Sequence, residues 1–227
     1  DVSTDIPFSL GGAGCTAIGG GTDYTASATG FITIPPGQNN VTLTLAANSD
    51  GHSEGDEKVE ISFLPISNIY GAVSVKTPIP IVNIADDDYA TLRIVGPVSI
   101  TEGDSGTQDM NFDVVLDIAT GGNFTVNYAT ADGTAKAGED YVAENKPLTF
   151  LGGTSATQTI SIKINGDKKI EADEAFSVLL SGLSNTFGGH LTLTGTSAVG
   201  TVIDNDNTVA NKKITITPVD GKELGTV

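Results

Sequence analysis

Asp167-Lys168-Lys169-Ile170-Glu171-Ala172-Asp173-Glu174-Ala175-Phe176-Ser177-Val178-Leu179-Leu180 decides how this chain folds, because both its acids and its apolar alternation occur a second time. About 117 residues earlier stands Asp50-Gly51-His52-Ser53-Glu54-Gly55-Asp56-Glu57-Lys58-Val59-Glu60-Ile61-Ser62-Phe63, in which Asp50, Glu54 and Glu57 match Asp167, Glu171 and Glu174. Val59, Ile61 and Phe63 match Phe176, Val178 and Leu180. The same offset pairs Asp23-Tyr24 with Asp140-Tyr141, and Leu43 and Leu45 with Ile160 and Ile162. Alternation with period two puts one row of side chains in a core and the other in water, which is the signature of a half-buried antiparallel strand. Acids that keep their place between such strands are tied to the fold and are not loose surface charge.

The later copy contains about seven alternating runs, at 91–95, 110–116, 124–129, 148–151, 157–164, 175–180 and 198–203, separated by Gly, Asn, Asp and Ser. Seven short strands over this length predict an immunoglobulin-like sandwich, here without the Cys–Trp–Cys core, since the chain has no Trp. The earlier copy opens at the equivalent of the third strand and has no counterpart of 90–122 within this sequence. Lys213-Ile214-Thr215-Ile216-Thr217 and Gly221-Lys222-Glu223-Leu224-Gly225 match the opening of the later copy. The expected architecture is therefore all-β, two tandem immunoglobulin-like seven-stranded β-sandwiches, the first lacking its N-terminal strands. Residues 1–88 form the incomplete first sandwich and 89–207 the complete second. Residues 208–227 carry a strand like the start of a third repeat, a candidate donor strand.

Composition narrows the function. Among 227 residues, 11 Lys and Arg face 28 Asp and Glu, a formal charge of −17 that repels phosphate backbones and excludes nucleic acid as a partner. With 38% hydrophobic and 17% charged residues the chain is a folded protein. Its 28 glycines suit turn-rich β-structure. Cys15 is the one cysteine, so no internal disulfide braces the fold and bound metal is the substitute to look for. No run of about 18 apolar residues is present to span a membrane, and Asp1 opens without a leader pattern.

In the later copy Glu102 follows the first strand, Asp140 precedes the fourth, Asp167, Glu171 and Glu174 lie between the fifth and sixth, and Asp204 and Asp206 end the seventh. Antiparallel connectivity returns all of these to one pole of a sandwich. Carboxylates gathered so closely repel one another unless cations intervene, and calcium takes 6 to 8 oxygens of this kind at about 2.3–2.6 Å. An EF-hand is excluded, because neither acid loop has the Asp-x-Asp-x-Asp-Gly spacing with a Glu at position twelve. Zinc finds few of its preferred ligands, with one thiol and with His52 and His190 far apart in the pattern.

Gly138-Glu139-Asp140-Tyr141, Leu148-Thr149-Phe150, Asp167 with Glu171 to Phe176, and the closing Ile203-Asp204-Asn205-Asp206 resemble the Calx-β motif. That family forms tandem calcium-binding sandwiches in sodium–calcium exchangers, integrin β4 and large bacterial surface proteins. The resemblance implies Ca²⁺ in the loops at one end of each sandwich, next to the following domain. Residue by residue it implies Asp23, Asp50, Glu54, Glu57, Asp86 and Asp88 as ligands in the first copy, with Asp87 an added candidate. In the second copy it implies Glu102, Asp140, Asp167, Glu171, Glu174, Asp204 and Asp206. Two departures weaken the second copy: Gly166 stands where relatives often carry an Asp, and Asn205 replaces the middle acid of the closing triplet. The first copy has no equivalent of Glu102 here, a gap that Glu223 of another subunit would fill.

Other motifs carry little. Gly103-Asp104-Ser105-Gly106 resembles the surroundings of a serine-protease nucleophile but has no assigned base, and is expected to be a turn. His52 and His190 are expected to be loop residues without function, Cys15 a small loop or buried thiol, and Asn40 and Asn123 sequons that matter only in a glycosylating host. Acid pairs that could cleave glycosides come without an aromatic platform. The expected function is that of a calcium-binding structural or adhesive repeat module, not an enzyme, at the cell surface or outside the cell. Neighbouring repeats, identical subunits joined head-to-tail into a filament by strand donation, and a cell-surface or matrix ligand are the expected partners. A calcium-sensing regulatory module is the alternative.

Overall fold

The computed structural model describes residues 2–65 and 80–206, whose regular structure is β-strand with one 3-10 turn at Phe187–Gly189. In the first repeat the strands are β1 (Thr4–Leu10), β2 (Tyr24–Ala26), β3 (Phe31–Ile34), β4 (Leu45–Ala47), β5 (Glu57–Phe63) and β6 (Ile81–Ile84). In the second they are β7 (Ala90–Ile94), β8 (Val98–Thr101), β9 (Gly106–Leu116), β10 (Phe124–Asp132), β11 (Asn145–Phe150), β12 (Thr157–Gly166), β13 (Glu174–Ser181), β14 (Leu191–Gly195) and β15 (Ser197–Ile203). The tail 208–227, with Glu223 and the candidate donor strand, lies outside the described residues.

The second repeat is a two-sheet sandwich. One sheet has the order β11-β10-β13-β15-β8, the other β12-β9-β7-β14. β12 and β9 pair antiparallel from Thr157↔Val115 to Gly166↔Gly106, so their inward rows, Ile160, Ile162 and Ile164 against Met110, Phe112 and Val114, fall on one face. Phe124, Val126, Phe176 and Val178 of β10 and β13 face them, all at 2% exposure or less. Phe176 stacks on Tyr141 at 4.4 Å and meets Phe112 edge-on at 6.1 Å. Gly200 of β15 makes that approach possible, since a Cβ there would stand 2.6 Å from Met110 Sδ and 2.8 Å from the Phe176 ring.

Nine strands replace the seven expected. The run at 91–95 is β7, which pairs with β9 and β14, and the chain then turns at Pro97, which has no N–H to continue a ladder, into an added strand, β8, that runs parallel to β15 in the other sheet. β14 is a short edge strand parallel to β7.

In the first repeat the sheet order is β3-β1-β5-β6, and β1 pairs with β3 and β5 as β10 pairs with β11 and β13. β1 thus stands where β10, the fourth strand of the second repeat, stands. Facing that sheet, among the described residues, is only the two-stranded β2-β4. Its buried cluster is correspondingly small, Ala17, Tyr24 and Val59 with partly buried Leu10, Leu45, Val82 and Ile84 around it.

Candidate metal centres

The acids named above gather at the loop ends of the strands. In the first repeat Asp23 precedes β2, Asp50 and Glu54 sit between β4 and β5, Glu57 opens β5, and Asp86, Asp87 and Asp88 follow β6. One ligand atom from each of Asp23, Glu54 and Glu57 lies within 4.8 Å of the others. The same holds for Asp86, Asp87 and Asp88, and for Asp50, His52 and Glu54. In the second repeat Glu102, Asp204 and Asp206 form one such group and Asp140, Glu171 and Glu174 another. Asp167 belongs to no group of three, although its charge acts on Glu102.

Local hydrogen bonds set these side chains in place. Asp86 Oδ2 accepts from the backbone N–H of Glu54 at 2.8 Å and of Gly55 at 2.7 Å, while Oδ1 accepts from Asp88 N–H at 2.9 Å. Asp204 repeats the pattern, accepting from Glu171 N–H at 2.9 Å and from Asp206 N–H at 2.7 Å. One carboxylate thus ties the closing strand to the acid loop in both repeats. Asp140 Oδ2 accepts from Lys136 N–H at 2.6 Å, and Asp23 Oδ2 from Ile18 N–H.

The electrostatics are those of crowded carboxylates. Burial, then the charges of Asp167, Asp204, Glu171 and Asp206, push Glu102 up to about 7. Burial, a hydrogen bond with Asp23 and the charges of Asp23, Glu54 and Asp50 push Glu57 to about 7. Burial and neighbouring acids also raise Glu54, Glu174 and Asp206. Asp86 goes the other way: burial raises it, but the N–H donors of Gly55, Asp88 and Glu54, with His190, outweigh burial and hold it below the usual range. Asp206 Oδ2 is buried and has no hydrogen-bond partner among the described residues. The donors are carboxylate oxygens arranged around common points, a set that fits a hard divalent cation and would be relieved by one.

His190 lies in a loop, as expected, between the 3-10 turn and β14, but it is packed into the structure. It is 8% exposed at the junction of the repeats, with Nδ1 3.1 Å from Asp86 Oδ2 and 3.3 Å from the Asp88 carbonyl oxygen. Both neighbours are acceptors, so Nδ1 carries the proton. The Tyr89 ring stacks on the imidazole at 4.4 Å. Ser53, fully buried, donates from Oγ to the His190 carbonyl at 3.0 Å and from its N–H to Ala119 O at 2.9 Å, and accepts from Gly121 N–H at 3.1 Å. Gly55, at φ +87°, lies where a Cβ would meet the Phe187 carbonyl oxygen at 2.5 Å. The acid loop of the first repeat is therefore also its docking surface on the second. The sequence signal that could have located the joint is the pairing of two small residues, Ser53 and Gly55, with Ile170 and Ala172 in the matching loop.

The Calx-beta domain model matches residues 1–88 and again 95–206. Among solved structures, the apo-form Calx CBD1 domain is 26% identical, covering 52% of this chain and all of that one, with a TM-score of 0.43. The tandem CBD12 from CALX1.2 is 20% identical over 89% of this chain and 88% of its own, with a TM-score of 0.40. CBD12 of CALX1.1, described as a calcium binding domain, is 18% identical over 88% and 87%, with a TM-score of 0.39. No curated protein matches in sequence. With two matches that together span most of its length, the chain belongs to the Calx-beta domain family.

Proposed function

We propose that both poles bind Ca²⁺ and that the bound ions stiffen a tandem β-module which works by holding position, without a catalytic step. The observation that carries this is the buried Oδ2 of Asp206, beside Glu102 and Asp204, which meets no hydrogen-bond partner among the described residues. An orphaned carboxylate oxygen inside a cluster of its own kind is costly unless a cation meets it. In this account Glu102, Asp140, Asp167, Glu171, Glu174, Asp204 and Asp206 supply oxygens in the second repeat. Asp23, Asp50, Glu54, Glu57, Asp86, Asp87 and Asp88 supply them in the first. Bound calcium would neutralise the repulsion that raises Glu57 and Glu102 and would brace the loop that carries Ser53.

The module serves, in this proposal, in an extracellular or cell-surface protein, where calcium is abundant enough for structural sites. Its first partners are neighbouring repeats, and adhesion to a surface or matrix ligand is the broader role. A second version, a calcium-sensing regulatory module, is favoured by one contact: Asp86 is held both by its own acid loop and by His190 of the other repeat. Affinity separates the two, since sensors work near 10⁻⁷–10⁻⁵ M and extracellular structural sites near 10⁻⁴–10⁻³ M. Calorimetric titration of the calcium-free chain tests both, with magnesium as the control. Saturable calcium binding that magnesium does not reproduce is expected, and no heat of calcium binding would end the proposal.

A further inference from the structure

The three outer sheet faces of the molecule differ in charge. Outside β12-β9-β7-β14 stand Arg93, Asp109, Asp113 and Lys163, and outside the sheet of the first repeat stand Asp5, Lys58 and Glu60. The outward row of β11-β10-β13-β15-β8 carries no ionisable side chain on any of its five strands. Alternation fixes which side chains these are, since the inward row of each strand is the buried one. On β10 they include Asn127, Ala129 and Ala131, and on β13 Ser177 and Leu179, while β11, β15 and β8 add only Asn, Pro, Ser, Thr, Val and Ile.

The register gives this face a centre. Leu179 pairs with Ala129 on one side and Ser197 on the other, and Val199 pairs with Ser177, so Leu179 and Val199 are diagonal neighbours on adjacent strands. They are 41% and 44% exposed, large apolar side chains left open to solvent. Small residues beside them keep the surface flat, and uncharged Ser, Thr and Asn surround them. An apolar centre, a polar rim and a lack of charge are the anatomy of a protein interface.

Net charge says what covers it. A chain of −17 repels its own copies wherever carboxylates meet, and only an uncharged face lets a second copy approach without that cost. A cationic ligand would be better served by acids, which this face lacks. We propose that the outer face centred on Leu179 and Val199 packs against the same face of a second copy, sheet on sheet about a two-fold axis. Stacked sheets of this kind lie about 10 Å apart with their strands within about 30°. Five strands about 4.8 Å apart, with about 20 Å of each in contact, cover about 500 Å² per copy. The total of about 1,000 Å² is at the low end for a specific interface, so the dimer is weak and reversible. The proposal goes beyond the calcium reading and does not depend on it, because no acid of either pole lies in the outward row of this face.

Sedimentation velocity of the full chain in EDTA, from about 10 µM to about 1 mM, tests this at low and at high salt. The dimer fraction is expected to rise over that range, and to rise further from about 0.05 M to about 0.5 M salt as the repulsion between copies is screened. Leu179→Lys, and separately Val199→Lys, should each weaken the dimer tenfold or more while the chain stays folded by thermal melting. Asn111→Lys, on the outer face of β9, should leave it within twofold. A chain that is monomeric at about 1 mM in both salts, or a dimer that survives both lysine variants of the face, would overturn the proposal. So would a dimer that forms only when calcium is added, since that contact would lie at the acid poles. Loss of calcium binding alone would leave the expected dimer in EDTA untouched.

Discussion

Both repeats build the same sheet, β3-β1-β5-β6 in the first and β11-β10-β13-β15 in the second, and both end it in the same acid loops. What faces that sheet differs. The second repeat closes over it with β12-β9-β7-β14 and a continuous apolar core, whereas the described part of the first closes only with β2-β4 over Ala17, Tyr24 and Val59. The acid poles nevertheless have matching geometry, down to Asp86 and Asp204 each accepting from the loop that carries Glu54 or Glu171. Pole geometry therefore follows from the shared sheet and its loops and not from the depth of the core. Core depth and pole geometry are separable features of this molecule, and mutations can pull them apart.

Core truncation should show the largest contrast. Phe176→Ala removes a ring 1% exposed between Tyr141 and Phe112, and is expected to cost about 3–5 kcal/mol in chemical denaturation. Val59→Ala, its counterpart in the first repeat, deletes two methyl-sized groups and should cost about 1.5 kcal/mol. Equal costs would show that the first core is as well braced as the second.

The metal-free protein should respond to pH through Glu57 and Glu102. Their folded values near 7 lie above the ordinary 4.5, so the folded state holds protons that the unfolded state has released between those limits. Stability should accordingly fall as pH rises from about 4.5 to about 7. Asp86, held low, adds stability that is present throughout that range and is lost only in more acidic solution, as pH falls through its folded value. Melting in EDTA is expected at higher temperature at pH 5 than at pH 7.5, and saturating calcium should abolish or reverse that order. A metal-free melting temperature that rises steadily with pH would contradict the crowded-carboxylate account.

The joint offers a smaller effect confined to coupling between the repeats. Gly55→Ala places a Cβ 2.5 Å from the Phe187 carbonyl oxygen at φ +87°, an expected cost of about 1–2 kcal/mol from the backbone alone. Scanning calorimetry should show the transitions of the repeats moving apart, and an unchanged thermogram would mean that the contact is incidental.

Asn205→Asp probes the mildest difference, between Asp86-Asp87-Asp88 and Asp204-Asn205-Asp206. Asn205 Nδ2 donates to Asp104 Oδ1 at 2.9 Å and its Oδ1 accepts from Gly103 N–H at 2.7 Å. A carboxylate loses the donor and faces Asp104 directly, so the metal-free variant should be less stable by about 1 kcal/mol. Its calcium affinity at the second pole should rise a fewfold, read by titration beside the parent chain.

Much of this was legible in the sequence because it repeats. The common offset of Asp23, Asp50, Glu54 and Glu57 with Asp140, Asp167, Glu171 and Glu174 located both poles, and the alternation in 157–164 and 175–180 located the strands that frame one of them. The short edge strands β8 and β14 were not legible, since four or five residues beside Pro97 or after a 3-10 turn carry too little alternation to show which sheet they join. The joint was hidden for a different reason. Ser53 meets His190 across a separation of 137 residues, through contacts that follow from docking two folded units and leave no periodic trace.

Thermal unfolding in EDTA and again in about 1 mM free calcium tests the central claim most directly, because a ligand bound only by the folded state stabilises it by RT ln(1 + [L]/Kd). The account predicts a clear upward shift of the melting temperature that magnesium fails to reproduce, reduced in Glu102→Gln and in Glu57→Gln. Identical melting with and without calcium would contradict it, and would leave the repeated acids as solvated turns on a sandwich that needs no metal.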